Sequence, residues 1–309
     1  MDVVTPSPTA ANAPAPTGWQ GRFFGSRRAL RNWSIANLVA NCGIIVSGAV
    51  VRLTASGLGC DTWPKCSDDS YTAHPALGWH SYIEFGNRTL TFVLMAIAIA
   101  TVVTAIRSRA PQREITLAWL IFAGIPFQGV IGGITVLTHL NPWVVALHLL
   151  LSVMLIAWCV KLVQQTSDGT PVAVTPRQRT LVVVLFWLMT FGLWLGTVVT
   201  GAGPHSGDHG AARNNLDIET VAKAHAWTIW VVVALTLALL AMAVQQGNIR
   251  LRSLVKWLLA AELLQGAIGY AQYFNGLPLG LVICHMIGIG LVTTAVSWVY
   301  YGTRRGLPA

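Results

Sequence analysis

The chain has 309 residues, of which 54% are hydrophobic and only 10% charged, a composition that excludes an ordinary water-soluble globular domain. A mean hydropathy of +0.60 fits a polytopic membrane protein instead. The formal net charge of +9 does not mark a nucleic-acid binder, because the 20 basic residues sit in short clusters between long apolar runs, as topology signals do.

Residues 1–32 are rich in Pro, Ala and Thr and then carry Arg22, Arg27, Arg28 and Arg31 without an apolar core. They read as a disordered cytoplasmic tail rather than a cleavable signal. A membrane helix needs about 20 mostly apolar residues. Eight stretches qualify: 33–53, 81–106, 115–137, 142–164, 180–200, 220–245, 252–273 and 278–301. Two connections between them are long, 54–79 and 201–219, and two are tight turns at Asn141-Pro142 and Asn275 to Pro278. An even number of spans leaves both termini on one side. Fifteen basic residues fall on that side and five on the other, namely Arg52, Lys65, Arg88, Arg213 and Lys223. The positive-inside rule makes the majority side cytoplasmic and the long loops external, with the chain in the cell membrane.

The second half echoes the first. Gln128-Gly129-Val130-Ile131-Gly132 returns as Gln265-Gly266-Ala267-Ile268-Gly269, and a histidine follows 20 residues after each glutamine, at His148 and His285. Val46-Ser47-Gly48-Ala49 is likewise echoed by Val199-Thr200-Gly201-Ala202. The expected fold class is an all-α polytopic membrane protein, its eight transmembrane helices forming two pseudo-repeated four-helix bundles. The halves would run over 33–165 and 180–301, with a cytoplasmic linker at 166–179 and a short tail at 302–309. Each half should hold an equivalent cavity.

Ionisable groups inside spans are costly and become site candidates by default. His148, His225, His285 and Glu84 fall in one depth band on the outer side, about 9 to 11 Å down for His148 and His285 at helical rise. His225 and His285 lie on different helices at similar depth, as two axial ligands flanking a porphyrin would. In the first half the position matching His225 is Asn87, so His148 has no clear second histidine, and its pocket reads as one with an open or exchangeable iron position. Glu84 matches Ala222 in the second half; it could relay protons, hold a water or stabilise positive charge, or else simply pair with Arg88 at i+4. Arg88 could instead meet a haem propionate. His80 shares a helix face with Glu84 and Asn87 and is an alternative ligand. Glu262 has no evident partner and reads as a snorkelling or helix-contact residue.

Cys42, Cys159 and Cys284 lie in spans and read as small packing residues. Cys60 and Cys66 share the first outer loop, where an oxidising compartment permits a disulfide, structural or redox-active. His205 and His209 have a spacing that a metal could use, but the glycines around them favour a solvated loop.

The segment Gly48-Ala49-Val50-Val51-Arg52-Leu53-Thr54-Ala55-Ser56-Gly57-Leu58-Gly59-Cys60, with Trp63-Pro64-Lys65-Cys66 and Glu84-Phe85-Gly86-Asn87-Arg88, resembles haem A synthase. With the repeated Gln-Gly segments and the histidines, the resemblance covers about residues 33–301. It implies an oxidoreductase of eight helices that oxidises the C8 methyl of haem O to the formyl of haem A by successive hydroxylations, for cytochrome c oxidase biogenesis. It implies haem b held by His225 and His285, substrate haem O near His148, Asn87, Arg88 and His80, a catalytic Glu84, and the pair Cys60–Cys66. The chain departs from the family's Glu-x-x-His-Arg pattern at Asn87. Haem O synthase and oxidase assembly factors are implied as partners, alongside membrane lipid, and a homo-oligomer is compatible with the sequence. The alternative reading is a dihaem electron carrier without substrate chemistry, for which the missing histidine is a poor match.

Overall fold

The computed structural model describes residues 18–167, 169–205 and 207–306. Residues 1–17 of the expected tail and 307–309 of the C-terminal tail therefore lie outside the described residues. A short helix α1 (Trp19–Phe24) precedes eight long ones: α2 (Arg27–Leu53), α3 (Trp79–Arg107), α4 (Gln112–Leu137), α5 (Pro142–Thr166), α6 (Pro176–Ala202), α7 (Ile218–Gln245), α8 (Ile249–Phe274) and α9 (Leu279–Gly302). Their bounds follow the apolar runs closely, with one extension. Helix α2 begins at Arg27 because Ser26 caps it, its hydroxyl accepting from Ala29 N–H at 3.1 Å, so α1 and the first turn of α2 occupy sequence expected as tail. Local signals fix other starts: a Thr175/Gln178 capping box on α6, Asp217 on α7 and Asn248 on α8. The Asp217 carboxyl is held below its ordinary range by hydrogen bonds from Thr220.

Seven of the long helices are sufficiently long and apolar to cross a membrane, and the chain is a multi-pass membrane protein. The expected count was eight. Helix α8 differs because Arg250, Arg252 and Lys256 charge its first two turns and Glu262 sits at its middle. Glu262 does not snorkel: it is buried, and Oε1 accepts from Thr236 at 2.9 Å.

Helices α2 to α5 pack in cyclic order, each against its neighbours and α5 back against α2; α6 to α9 do the same. The two sets join through α5 and α2 against α9 and α5 against α6. Buried aliphatic clusters fill each set, Leu30, Val102, Leu117, Ile121 and Leu162 in the first and Leu185, Met189, Leu239, Val255 and Leu258 in the second. Such helices have little hydrophobic drive to associate within lipid, so close packing and interhelical hydrogen bonds carry the cohesion. Cys159 is buried and Cys42 abuts Gly290 of α9, as packing residues should, but Cys284 is exposed on α9.

Two polar ties close the end opposite the long loops. Arg27 pairs with the buried Glu114, and its Nη2 donates to Gln165 O at 3.0 Å, linking α2, α4 and α5. Strand β1 (Val172–Val174), in the expected linker, pairs in parallel with β2 (Thr303–Arg305), in the expected tail.

Candidate functional site

At the loop end, α2 to α5 diverge around a cavity of about 740 Å³. Its wall is mainly apolar, with Ile44, Ile45, Phe85, Leu94, Ile125 and Leu149, and a few polar groups converge on it: Arg52, Glu84, Asn87, Arg88, Gln128 and His148. This mixture of apolar wall and few polar groups is that of a small-molecule site.

The loop between α2 and α3 is fixed over the cavity by Glu84 and Arg88. A Cys60–Cys66 disulfide closes it, with an S–S distance of 1.98 Å, and both cysteines are fully buried. Cys60 N–H donates to Glu84 Oε2 at 2.5 Å, and Arg88 Nη2 donates to Glu84 Oε1 at 2.5 Å. The Arg88 guanidinium also donates to the carbonyls of Cys60, Thr62 and Lys65 at 3.1, 3.0 and 3.0 Å. Glu84 thus lines the cavity while its oxygens are braced from behind. Trp63, also at the cavity, packs on α4 at Gly133, where any Cβ would collide with the indole.

His148 reaches the cavity from α5. Its Cε1 lies 3.3 Å from where a Cβ on Gly132 would be, and its Nδ1 is buried without a hydrogen-bond partner among the described residues. Gln128 Nε2 donates to the His148 carbonyl at 3.0 Å and to Ser152 Oγ at 2.6 Å, holding that turn of α5. Asn87 lines the cavity with its amide 2.7 Å from Ser47 Oγ. His80 is not among the cavity-lining residues; its Nδ1 lies 3.0 Å from Ser56 Oγ and its ring stacks on Trp79.

His225 and His285 stand elsewhere, within α7 and α9, close enough to interact electrostatically. His225 Nδ1 bonds to Gly192 O at 2.9 Å, and a Cβ at Gly196 would sit 3.3 Å from its Cε1. His285 repeats the His148 arrangement: a Cβ at Gly269 would sit 3.2 Å from its Cε1, Gln265 donates to its carbonyl at 2.9 Å, and its Nδ1 has no partner among the described residues. No cluster of three or more His, Cys, Asp or Glu side chains suited to a metal ion occurs among the described residues.

The family model described as "Cytochrome oxidase assembly protein" matches residues 31–297. The chain belongs to this family. A relative from Shewanella oneidensis named "Heme A synthase" is 24% identical over 85% of this chain and 93% of its own length. Others of the same name, from Lysinibacillus sphaericus and Alkalihalophilus pseudofirmus, are 34% and 27% identical, over 42% and 52% of this chain. The chain spans 41% and 55% of the length of these two relatives.

Within this assembly-protein family member, three features of the site escaped sequence reading. Thr197, Thr200 and Gly201 of α6, Gly207 and Ala212 of the following loop, and Met286 of α9 also line the cavity. The loop after α6 is fastened there, Gly57 N–H donating to Gly207 O at 2.8 Å and Asn214 Nδ2 to Val198 O at 2.8 Å. The first cavity is therefore not built from the first half alone. Arg52 was read as a charge and as part of the Gly48–Cys60 segment but not as a site residue, although its place at the end of a span, next to a long loop, is the signal that would have flagged it.

Proposed function

We propose that this chain is a haem A synthase, an oxidoreductase that oxidises the C8 methyl of haem O to the formyl of haem A by successive hydroxylations, supplying cytochrome c oxidase biogenesis. The observation that carries the reading is one mainly apolar cavity bordered by both His148 and Glu84, in a chain of the cytochrome oxidase assembly family. A mainly apolar chamber of this size suits a farnesylated tetrapyrrole substrate.

In this reading His148 binds the substrate iron from one side. Asn87, held by Ser47, faces the chamber where a second imidazole would otherwise stand, so no protein nitrogen from α3 completes the coordination. His80, turned toward Ser56, is not assigned as a ligand. Glu84 stands at the methyl edge, where it holds a water and stabilises positive charge developing on the substrate carbon. Its bracing by Cys60 and Arg88 keeps it from swinging away, and the loop over it keeps bulk water out.

Two further histidines, His225 and His285, fit a resident haem b. A haem between four facing helices needs two imidazoles with free nitrogens and no side chain crowding them. His225 and His285 meet this test, because Gly196 and Gly269 leave the space a Cβ would fill. With Nδ1–H donating to Gly192 O, His225 would offer the Nε2 lone pair to the iron of that haem. When bound, haem b supplies one-electron redox chemistry. The two cyclic helix sets and the twin Gln–His hydrogen bonds support a pseudo-repeat of four spans each, α8 included. The basic residues support cytoplasmic termini and an external loop end. Haem O synthase and oxidase assembly factors are the partners that the resemblance implies for this activity.

The test is acid-acetone extraction and mass-resolved chromatography of haems from protein made in cells that supply haem O. Wild type yields haem b with haem O, a hydroxylated intermediate or haem A. Glu84→Ala and Glu84→Gln both lose haem A and keep haem b, and the Gln variant preserves the Cys60 hydrogen bond. Undiminished haem A from Glu84→Gln would reduce Glu84 to a brace; haem b alone, at two per chain, would favour an electron carrier.

A further inference from the structure

Of the five cations at the loop end, Arg88 is committed to Glu84 and three carbonyls, Lys223 is paired with Glu219, and Lys65 donates to Asp68 O in the exposed loop. Arg52 and Arg213 have no ion-pair partner among the described residues. Arg52 ends α2 and lines the cavity, with a single side-chain hydrogen bond among the described residues, Nη2 to Thr200 O at 2.9 Å. Arg213 comes over from the loop after α6; Nη2 donates to Pro204 O at 2.7 Å, while Nη1 is buried without an acceptor among the described residues. The two guanidinia lie within electrostatic reach of each other, and Gly207, whose carbonyl pins this loop to Gly57, packs on Arg52. His205 feels both, its imidazole held below the ordinary value by burial first and then by the charges of Arg52 and Arg213. Arg52 lines the apolar chamber and Arg213 stands next to the lining residue Ala212 without lining it itself, and two like charges so placed repel each other unless an anion comes between them.

We infer that Arg52 and Arg213 form a carboxylate-binding subsite at the loop end of the cavity, which takes the carboxylates of an apolar, planar substrate and fixes which edge of it lies toward Glu84. Planar guanidinium forks match carboxylates bidentately, and this pair has donors to spare whereas Arg88 does not. The assignment rests on the haem O reading for the identity of that substrate and gives the propionates to Arg52 and Arg213 rather than to Arg88. It also makes the loop after α6 part of substrate recognition.

The test titrates the purified full-length protein, haem b in place, with haem O and with haem O dimethyl ester, following the Soret band and measuring haem A in the same samples. Wild type prefers the diacid by about tenfold or more, the scale of a charge-assisted hydrogen bond. Arg52→Gln and Arg213→Gln each lose most of that preference by weakening diacid binding, while ester binding stays within about twofold; Arg52→Lys and Arg213→Lys keep an intermediate part of it, the charge remaining and the fork being lost. Equal binding of diacid and ester by wild type, or a preference undiminished in both Gln variants, overturns the subsite. So does failure of wild type to bind either compound. Displacement of the diacid by phosphatidylglycerol in wild type but not in the Gln variants, without a preference for diacid over ester, assigns the guanidinia to a lipid headgroup and overturns it too. Loss of the preference in the Gln variants without any haem A from wild type upholds the subsite and sinks the synthase reading instead.

Discussion

Three histidines, 148, 225 and 285, each approach a glycine so closely that an added Cβ would stand 3.2 to 3.3 Å from Cε1. Contacts that tight oblige the ring to shift by a few tenths of an ångström, and an imidazole that must meet a metal tolerates little misplacement. The twin positions allow the two sites to be perturbed separately. Gly132→Ala is expected to lower retention of haem O several-fold while haem b stays at wild-type occupancy, and Gly269→Ala to do the reverse. Quantifying both haems in extracts of the two variants checks this; parallel loss of both would mean that the substitutions act on overall packing.

At the scale of elements, the loop between α2 and α3 is a small rigid body rather than a flexible connector. Its disulfide, the docking of Trp63 against Gly133, and the five hydrogen bonds made by Arg88 all bear on residues that position Glu84. Closing so short a loop constrains the unfolded chain by about 2 kcal/mol. Both sulfurs are fully buried, which denies an external thiol access to them while the loop is folded. Replacing Cys60 and Cys66 together by Ser is expected to lower the thermal midpoint and to cut haem A severalfold, with haem b retained. Unchanged haem A in the double variant would show that Glu84 holds its position without the bridge.

The helices and this loop were readable in the sequence for a simple reason: each is set by contiguous residues. Apolar runs of membrane length define α2 to α7 and α9, whereas the capped starts at Ser26 and Asp217 lie outside those runs and were not read. The matched Gln–His pairs were readable because Gln128 and His148 keep the spacing of Gln265 and His285. Arg88, by contrast, was readable only as an i+4 partner of Glu84; its three carbonyl acceptors depend on how the loop folds back, which no spacing encodes. The buried Glu114 escaped notice because its partner, Arg27, lies 87 residues away in a stretch that composition assigns to a tail.

For the whole molecule, the two helix sets are less independent than a repeat implies. The cavity of the first set borrows Thr197, Thr200 and Gly201 from α6, Gly207 from the loop beyond, and Met286 from α9, next in sequence to His285. Expressing residues 1–167 alone is therefore expected to give a fragment that fails to bind haem O, and co-expression with 168–309 to restore binding. Spectral titration of the fragment and of the reassembled pair measures this, and full-strength binding by the fragment would mean that the second set contributes nothing to the site.

The three-residue ribbon at the other end has a bearing on how the chain is assembled. Val172–Val174 follows the fourth long helix, but its partner Thr303–Arg305 emerges from the ribosome only after all eight are made. Throughout synthesis of the second set, the backbone amides and carbonyls of that linker have no strand to meet. The parallel register is the last seam to close, and it joins the end of the second set to the exit of the first. A chain stopped just short of it would have every helix and still lack the stitch that locks their order.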